Sequence, residues 1–189
     1  MSGMTVHIPT LETDRLILRA PRFEDATAYI AYRTSPRARF TGGTIEADHA
    51  RTLFVAITGL WVLRGYSLFM GALKTAPETA IGGFGIFHTQ PHAEPEFGWT
   101  LYDAQHEGKG LVTEAMRTII PWAWDVMGVD TAQSHIDEGN NSSVAVARTL
   151  GATFDAKQTE VANAPGGEFY DEDDATIVNI WRHHKGALT

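Results

Sequence analysis

Between the apolar run Phe97-Gly98-Trp99-Thr100-Leu101 and a periodic segment that starts at Leu111 lies Gln105-His106-Glu107-Gly108-Lys109-Gly110, a polar stretch with two glycines. The first run reads as a strand, and Leu111, Ala115, Ile119 and Trp122 recur at helical spacing, so the glycines fall in the turn that opens a helix. Glycine there lets the backbone approach a ligand closely. The unpaired N–H groups of a first helical turn, at the positive end of the helix dipole, favour an anion. A pyrophosphate is the expected guest, held by the backbone from His106 to Leu111, with Lys109 as a partly exposed cation.

The rest of the chain must position that turn. Its 189 residues, 43% of them hydrophobic, without an apolar run long enough to span a bilayer, suit a single domain over 1–189 with a core at about 10–185. Zero cysteines exclude disulfides and thiolate chemistry and fit a cytoplasmic location. The N-terminus lacks a basic segment followed by an apolar core, so no secretory signal is expected. A net charge of −8 argues against a nucleic-acid partner, whose binding needs a basic surface, and any phosphate must be held locally.

Periodicity and punctuation predict strands at 14–19, 66–74, 80–88, 94–101, 132–137, 153–161 and 176–183, and helices at 23–34, 45–63, 111–127 and 142–150. Strands 66–74 and 80–88 are expected to join through a turn at Pro77 and to form an antiparallel meander with 94–101. Gly128 and Gly151 close the last two helices, and Pro121 is expected to kink the first of these. The order β-α-α-β-β-β-α-β-α-β-β is that of a mixed α+β sheet with helices on both faces. Gly82-Gly83-Phe84-Gly85 lies within a strand pattern with no helix after it, so it reads as a closely packed strand rather than a dinucleotide loop. His88, His92 and His106 lack the ligand spacing of a helix, and His183 and His184 point to opposite faces of a strand, so no metal is expected.

Three matches in register give the chain a family resemblance. Gln105-x-x-Gly108-x-Gly110 followed by Thr113-Glu114-Ala115 resembles the acetyl-CoA pyrophosphate loop of the GNAT superfamily of N-acyltransferases. Asn140-x-x-Ser143, ahead of Leu150-Gly151 and Phe154, is similar to its pantetheine-binding segment. The opening Glu12-Thr13-Asp14-Arg15-Leu16-Ile17-Leu18-Arg19, with Asp25 beyond it, resembles the branch of ribosomal-protein N-terminal acetyltransferases and their relatives. Together they span roughly residues 12–155.

The resemblance implies an acetyl-CoA-dependent N-acetyltransferase whose mostly antiparallel sheet splays at the strand before the loop. That strand would be 97–101, with a bulge at Gly98 and with the Trp99 or Leu101 N–H donating to the thioester oxygen. It implies coenzyme A contacts from Trp99, Leu101, Gln105, His106, Glu107, Gly108, Lys109, Gly110, Leu111, Thr113, Asn140 and Ser143. An attacking ammonium must lose a proton, and Glu96, directly or through water, is the first candidate base, with Glu94 as alternative. The tyrosine that many relatives place near the leaving sulfur is replaced here by Ala147, which leaves Ser143 as the nearest hydroxyl. The same replacement motivates the alternative of a catalytically weak, coenzyme-A-binding regulatory or structural domain.

The family's acceptor groove maps onto Tyr29, Arg33, Phe40 and Trp61 on one side and the loop 168–174, from Glu168, on the other. The run Asp171-Glu172-Asp173-Asp174 would attract a cationic amine, without separating a protein N-terminus from a polyamine, an antibiotic or an amino acid. The partners expected are thus an amine acceptor and no membrane, for a monomer or a homodimer paired through sheet edges.

Overall fold

The computed structural model describes residues 6–89 and 94–188. His92 lies outside them. The eight strands are β1 (Leu11–Glu12), β2 (Leu16–Arg19), β3 (Leu68–Leu73), β4 (Ala76–Phe87), β5 (Glu96–Leu101), β6 (Thr131–Asp137), β7 (Thr153–Phe154) and β8 (Val178–His184). They form one sheet in the order β1-β2-β3-β4-β5-β6-β8-β7, with antiparallel neighbours except for β5 and β6. The helices are α1 (Ala26–Arg33), α2 (Ala47–Arg64), α3 (Leu111–Met127), α4 (Asn141–Thr149) and α5 (Ala156–Asn163).

The two faces of the sheet divide the core. Alternation along β3 sends Met70 towards α1 and α2, where it meets Tyr29, Tyr32, Phe54, Ile57 and Tyr102. Phe69 points the other way with Phe84 and Phe97, against Met116, Ile119 and Trp124 of α3. Helix α3 carries a continuous apolar stripe and runs through Pro121 without interruption to Gly128, whose φ of 66° closes it.

Three local expectations are corrected. The strand expected over 14–19 begins only at Leu16, as β2, with the short β1 ahead of it, because Thr13 turns the chain: its N–H donates to Leu16 O at 3.0 Å and its hydroxyl accepts from Leu16 N–H at 2.8 Å. The β3–β4 turn lies at residues 74–75, while Pro77 sits within β4 beside register shifts at Ala72, where a missing donor is tolerated. The strand over 153–161 is only β7 followed by α5, since the Asp155 carboxylate caps a helix by accepting from Gln158 N–H at 3.0 Å. Asn163 of α5 then meets the edge of β8, donating to Val178 O and accepting from its N–H, both at 2.9 Å. Side chains on a helix thus satisfy backbone that a longer strand would otherwise have paired.

The glycines of β3 and β4 make room for one ring. A Cβ on Gly82 would lie 2.3 Å from Thr100 O and 2.7 Å from Phe84 Cζ, and one on Gly71 2.3 Å from Phe84 Cε2. Because a backbone carbonyl cannot step aside, Gly82→Ala is expected to cost about 3 kcal/mol of unfolding free energy. A urea titration checks this, and a loss within experimental scatter would show that the sheet yields there.

Candidate functional site

The site begins where the sheet opens. β5 and β6 share a single register pair, Glu96↔Gln133, with Gln133 N–H donating to Pro95 O at 2.9 Å. On the other side β5 pairs β4 regularly from Phe87↔Glu96 to Gly82↔Leu101, and Tyr102 N–H donates to Ile81 O at 2.9 Å. Even residues therefore direct their backbone groups to β4, and the odd ones, Phe97, Trp99 and Leu101, direct theirs towards β6. The ladder is unbroken through Gly98, so the expected bulge is absent and the opening comes from divergence of β5 and β6 instead.

At the vertex of that opening, the Ser134 hydroxyl of β6 donates to Phe97 O at 2.7 Å and lies 2.9 Å from His183 Nε2. Farther out, the Leu101 carbonyl accepts from Arg37 Nη2 at 3.2 Å. This leaves the Trp99 and Leu101 N–H groups directed into a cleft of about 1300 Å³, which both residues line.

The loop after β5 leads to the start of α3. Asp103 turns the chain by accepting from Gln105 N–H at 2.9 Å, and Gly108 and Gly110 adopt φ of 69° and 73°, which a side chain would strain. Gly110 is the N-cap of α3 and supplies no side chain to it, while Glu114 N–H makes the first helical bond, to Gly110 O at 3.0 Å. The N–H groups of Leu111, Val112 and Thr113 therefore face outward. His106, Glu107, Gly108, Gly110, Leu111 and Thr113 all line the cleft. Gln105 and Lys109 are exposed: the Gln105 amide donates to Asp103 Oδ2 at 3.1 Å and the Lys109 carbonyl accepts from Arg15 Nη1 at 3.0 Å.

The N-terminal motif grips this same turn. The Glu114 carboxylate accepts from the Thr13 hydroxyl, from Arg15 N–H at 2.8 Å and from Arg15 Nε at 2.6 Å. Burial works to raise its pKa, but these donors hold it below the usual carboxylate range. Arg19 and Asp25, joined by bonds of 2.7 and 2.8 Å, likewise fasten β2 to the start of α1.

Across the opening, Asn140 caps α4 by accepting from Ser143 N–H at 3.3 Å, and the Ser143 hydroxyl accepts from Trp99 Nε1 at 3.3 Å. The indole thus ties β5 to α4 and leaves the serine O–H able to donate into the cleft, which Asn140 and Ser143 line. Ala147 is fully buried against Ile136, Ala152 and Trp181.

Glu96 and Glu94 have different fates. Glu94 accepts from Arg182 Nη1 at 2.7 and 2.8 Å and from Gln133 Nε2 at 2.6 Å; burial works to raise its pKa, but these partners lower it, which leaves a poor proton acceptor. Glu96 lines the cleft with its Oε2 3.4 Å from His135 Nδ1. Burial works to lower the His135 pKa, but contact with Glu96 outweighs it and raises it above the ordinary histidine value.

Tyr29, Arg33 and Phe40 line the cleft, Phe40 with the Arg39 guanidinium over its ring at 4.6 Å. Trp61 does not join them. Its ring is 1% exposed among Phe69 and Trp122, and its Nε1 donates to Leu68 O at 3.1 Å, because the rotation of about 100° between successive helical residues turns Leu60 to the groove and Trp61 away from it. Glu168 is exposed, while its neighbour Phe169 lines the cleft, edge-on to His135 at 4.9 Å. Residues not singled out from sequence also line it: Tyr32, Arg37, His135 and Asp137. Strand period gave a signal for the last two, which share one face of β6, but only the β5–β6 divergence shows that this face is open.

Comparison with known proteins follows the same lines. Residues 15–153 match the family model of the acetyltransferase (GNAT) domain. The uncharacterized N-acetyltransferase p20 of Bacillus licheniformis is 25% identical over 146 residues, 75% of this chain and 80% of that protein. The crystal structure of the acetyltransferase from Agrobacterium tumefaciens str. C58 superposes with a TM-score of 0.77 at 30% identity, covering 97% of this chain and 99% of that one. RimL, a ribosomal L7/L12 alpha-N-protein acetyltransferase solved in complex with coenzyme A, shares the fold at a TM-score of 0.70 and 16% identity, over 93% of this chain and 98% of its own.

Proposed function

The chain belongs to the GNAT acetyltransferase family, and on that premise we propose that it transfers the acetyl group of acetyl-CoA to a primary amine within a ternary complex. The observation that carries this reading is the continuity of the β5–β6 opening with the uncapped start of α3. Backbone donors there suit a pyrophosphate, and the strand edge suits the amides of a pantetheine arm. Acetyl-CoA supplies an activated thioester.

The residues divide the work. His106 and Glu107 spend their N–H groups on Asp103 O and Ala104 O, so the cradle starts later than the sequence suggested: the N–H groups from Gly108 to Leu111, with Thr113, hold the diphosphate, and Glu114, fastened by Thr13 and Arg15, fixes the helix start behind them. The Trp99 or Leu101 N–H donates to the thioester oxygen, whose charge grows during attack; one such donor in a dry site is worth roughly 3 kcal/mol. Glu96 takes the proton of the incoming ammonium, directly or through water. Ser143, with one of its lone pairs taken by the Trp99 indole N–H, turns its O–H towards the departing sulfur. The RimL likeness and the cationic preference of the acidic loop both fit an amine on a protein N-terminus or on a small molecule.

The reading is tested by titrating the protein in a calorimeter with acetyl-CoA and with desulfo-coenzyme A, beside Gly110→Trp. The parent is expected to bind both, and the variant, whose ring fills the turn, to lose about tenfold or more in affinity. A panel of amines then reports acetyl transfer. A parent that binds neither cofactor form would overturn the reading.

A further inference from the structure

Within the reading above, one residue of the acceptor groove specifies more than an amine. Arg33 ends α1 in the wall of the cleft and is only 8% exposed. Charged groups so far from water are as a rule paired with an opposite charge. The other arginines drawn inward follow that rule: Arg19 pairs Asp25, Arg37 pairs Glu107, and Arg182 pairs Glu94 and Asp155. Arg33 instead donates through Nη1 to the carbonyl and hydroxyl of Thr41, both neutral, the latter at 2.7 Å. Among the described residues it makes no ion pair, and its Nε has no hydrogen-bond partner.

Neighbouring groups cannot neutralise it. Tyr29 and Tyr32 flank it in the groove, and burial raises both phenols above their ordinary pKa although the Arg33 charge opposes this, so they remain uncharged at neutral pH. The other guanidinium nitrogen, Nη2, faces Gly42, where even a built Cβ would stand 3.9 Å away, and Gly42 itself lines the cleft. With Nη1 held by Thr41 and Nε enclosed, Nη2 is the donor reachable at a wall that carries no side chain.

The opposite wall has the reverse sign. Glu96 and Asp137 line it, and the exposed acids Asp171 to Asp174 follow on the adjoining loop. Glu107 also lines the cleft but is taken up by Arg37, so the charges left over are the carboxylates near Glu96 and, among the described residues, the unpaired guanidinium of Arg33.

We propose that the acceptor is a dipolar amine, bearing a carboxylate remote from its reacting nitrogen, and that Arg33 binds this carboxylate. The polarisation then orients the molecule, nitrogen towards Glu96 and anion towards Gly42. A guanidinium whose partner arrives with the substrate also explains why the fold leaves it unpaired. The shared chemistry fits a free amino acid or a peptide with an acidic side chain, and the test has an arm for each.

The experiment measures kcat/KM with acetyl-CoA for ω-amino acids from β-alanine to aminooctanoate beside their carboxamides, and for tripeptides with aspartate or asparagine at the second or third position. At a chain length that spans the cleft, the carboxylate member is expected to be favoured by about tenfold to a hundredfold, mainly through KM. Arg33→Met should bring that ratio close to one and Arg33→Lys should keep part of it, with the dissociation constant of acetyl-CoA unchanged in both. Preference in the first series alone assigns a free amino acid, and in the second a peptide.

Equal rates for carboxylate and amide in the parent, or a preference that survives Arg33→Met, would overturn the proposal, as would weaker acetyl-CoA binding with the preference intact. Should Arg33→Met fail to fold, thermal shift of the parent and of Arg33→Lys by each carboxylate and amide pair gives the same contrast. Should no amine be acetylated, the transfer reading fails, while carboxylate binding by the parent and its loss in the variant still decide the role of Arg33.

Discussion

Glu96→Gln is expected to lower kcat by about 10²- to 10³-fold with acetyl-CoA affinity retained, because it removes the carboxylate that accepts the ammonium proton while keeping size and shape. The expectation rests on position. Glu96 opens β5 at the single pair where β5 still meets β6, so its side chain stands at the vertex of the divergence, in the cleft wall and beside His135. Glu94, two residues earlier on the chain, is tied by Arg182 and Gln133 and does not replace it. Since a free amine needs no base, the variant should recover rate as pH approaches the pKa of the acceptor, with log kcat rising by about one per pH unit.

A second readout separates chemistry from folding. The carboxylate of Glu96 raises the His135 pKa against the opposing effect of burial. Without that charge, burial dominates, and the His135 titration followed by NMR should move to lower pH. A kcat within twofold of the parent would remove Glu96 from the mechanism, whatever happens to His135.

Acidification from pH 6.5 to 4 is expected to cost about 3 kcal/mol of unfolding free energy through His183 alone, the size of a shift of this width. His183 is 2% exposed, and burial lowers its pKa to about 4. The Ser134 hydroxyl donates to Phe97 O, so it accepts from His183 Nε2–H, and the bare Nδ1 has no hydrogen-bond partner among the described residues. A second proton would arrive there beside the ring of Phe97, whose centroid is 5.2 Å away, with nothing to receive its hydrogen bond.

The sign follows from proton counting. Between the two pKa values the unfolded chain binds a proton that the folded one refuses, so stability is fully present above about 6.5, falls with pH, and levels near the folded value. His135 has a raised pKa, so its contribution is complete below its unfolded value and changes mainly above this window. Glu94 and Glu114 have lowered values, so their contributions are present above the ordinary carboxylate range and begin to fade only at the acidic end of this window. Urea titrations at steps from pH 7 to 4 test this, with His183→Gln, which keeps a donor for Ser134, expected to flatten the slope. An equal slope in parent and variant would assign the loss to other groups.

How much of this was legible follows the range of the interactions. The glycine turn that opens α3 and the closure of that helix at Gly128 depend on residues within one turn of each other, and both appeared where sequence spacing placed them. The end of the chain was misread because Thr153 to Val161 has a strand-like mix of residues, while Asp155 and Asn163, whose partners are a cap and a distant strand edge, select a helix.

Local pattern by itself determined most of the elements, the fold class and the glycine turn at the start of α3, because caps, periodicity and glycine turns act over a few bonds. Only tertiary structure decided that β5 and β6 part after one pair, that Trp61 belongs to the core, that Glu94 is held by an arginine while Glu96 meets His135 in the cleft wall, and that Arg33 has no counter-charge among the described residues. Each of these depends on which residues from distant parts of the chain meet at a shared boundary, and burial and charge pairing belong to that meeting rather than to any one segment.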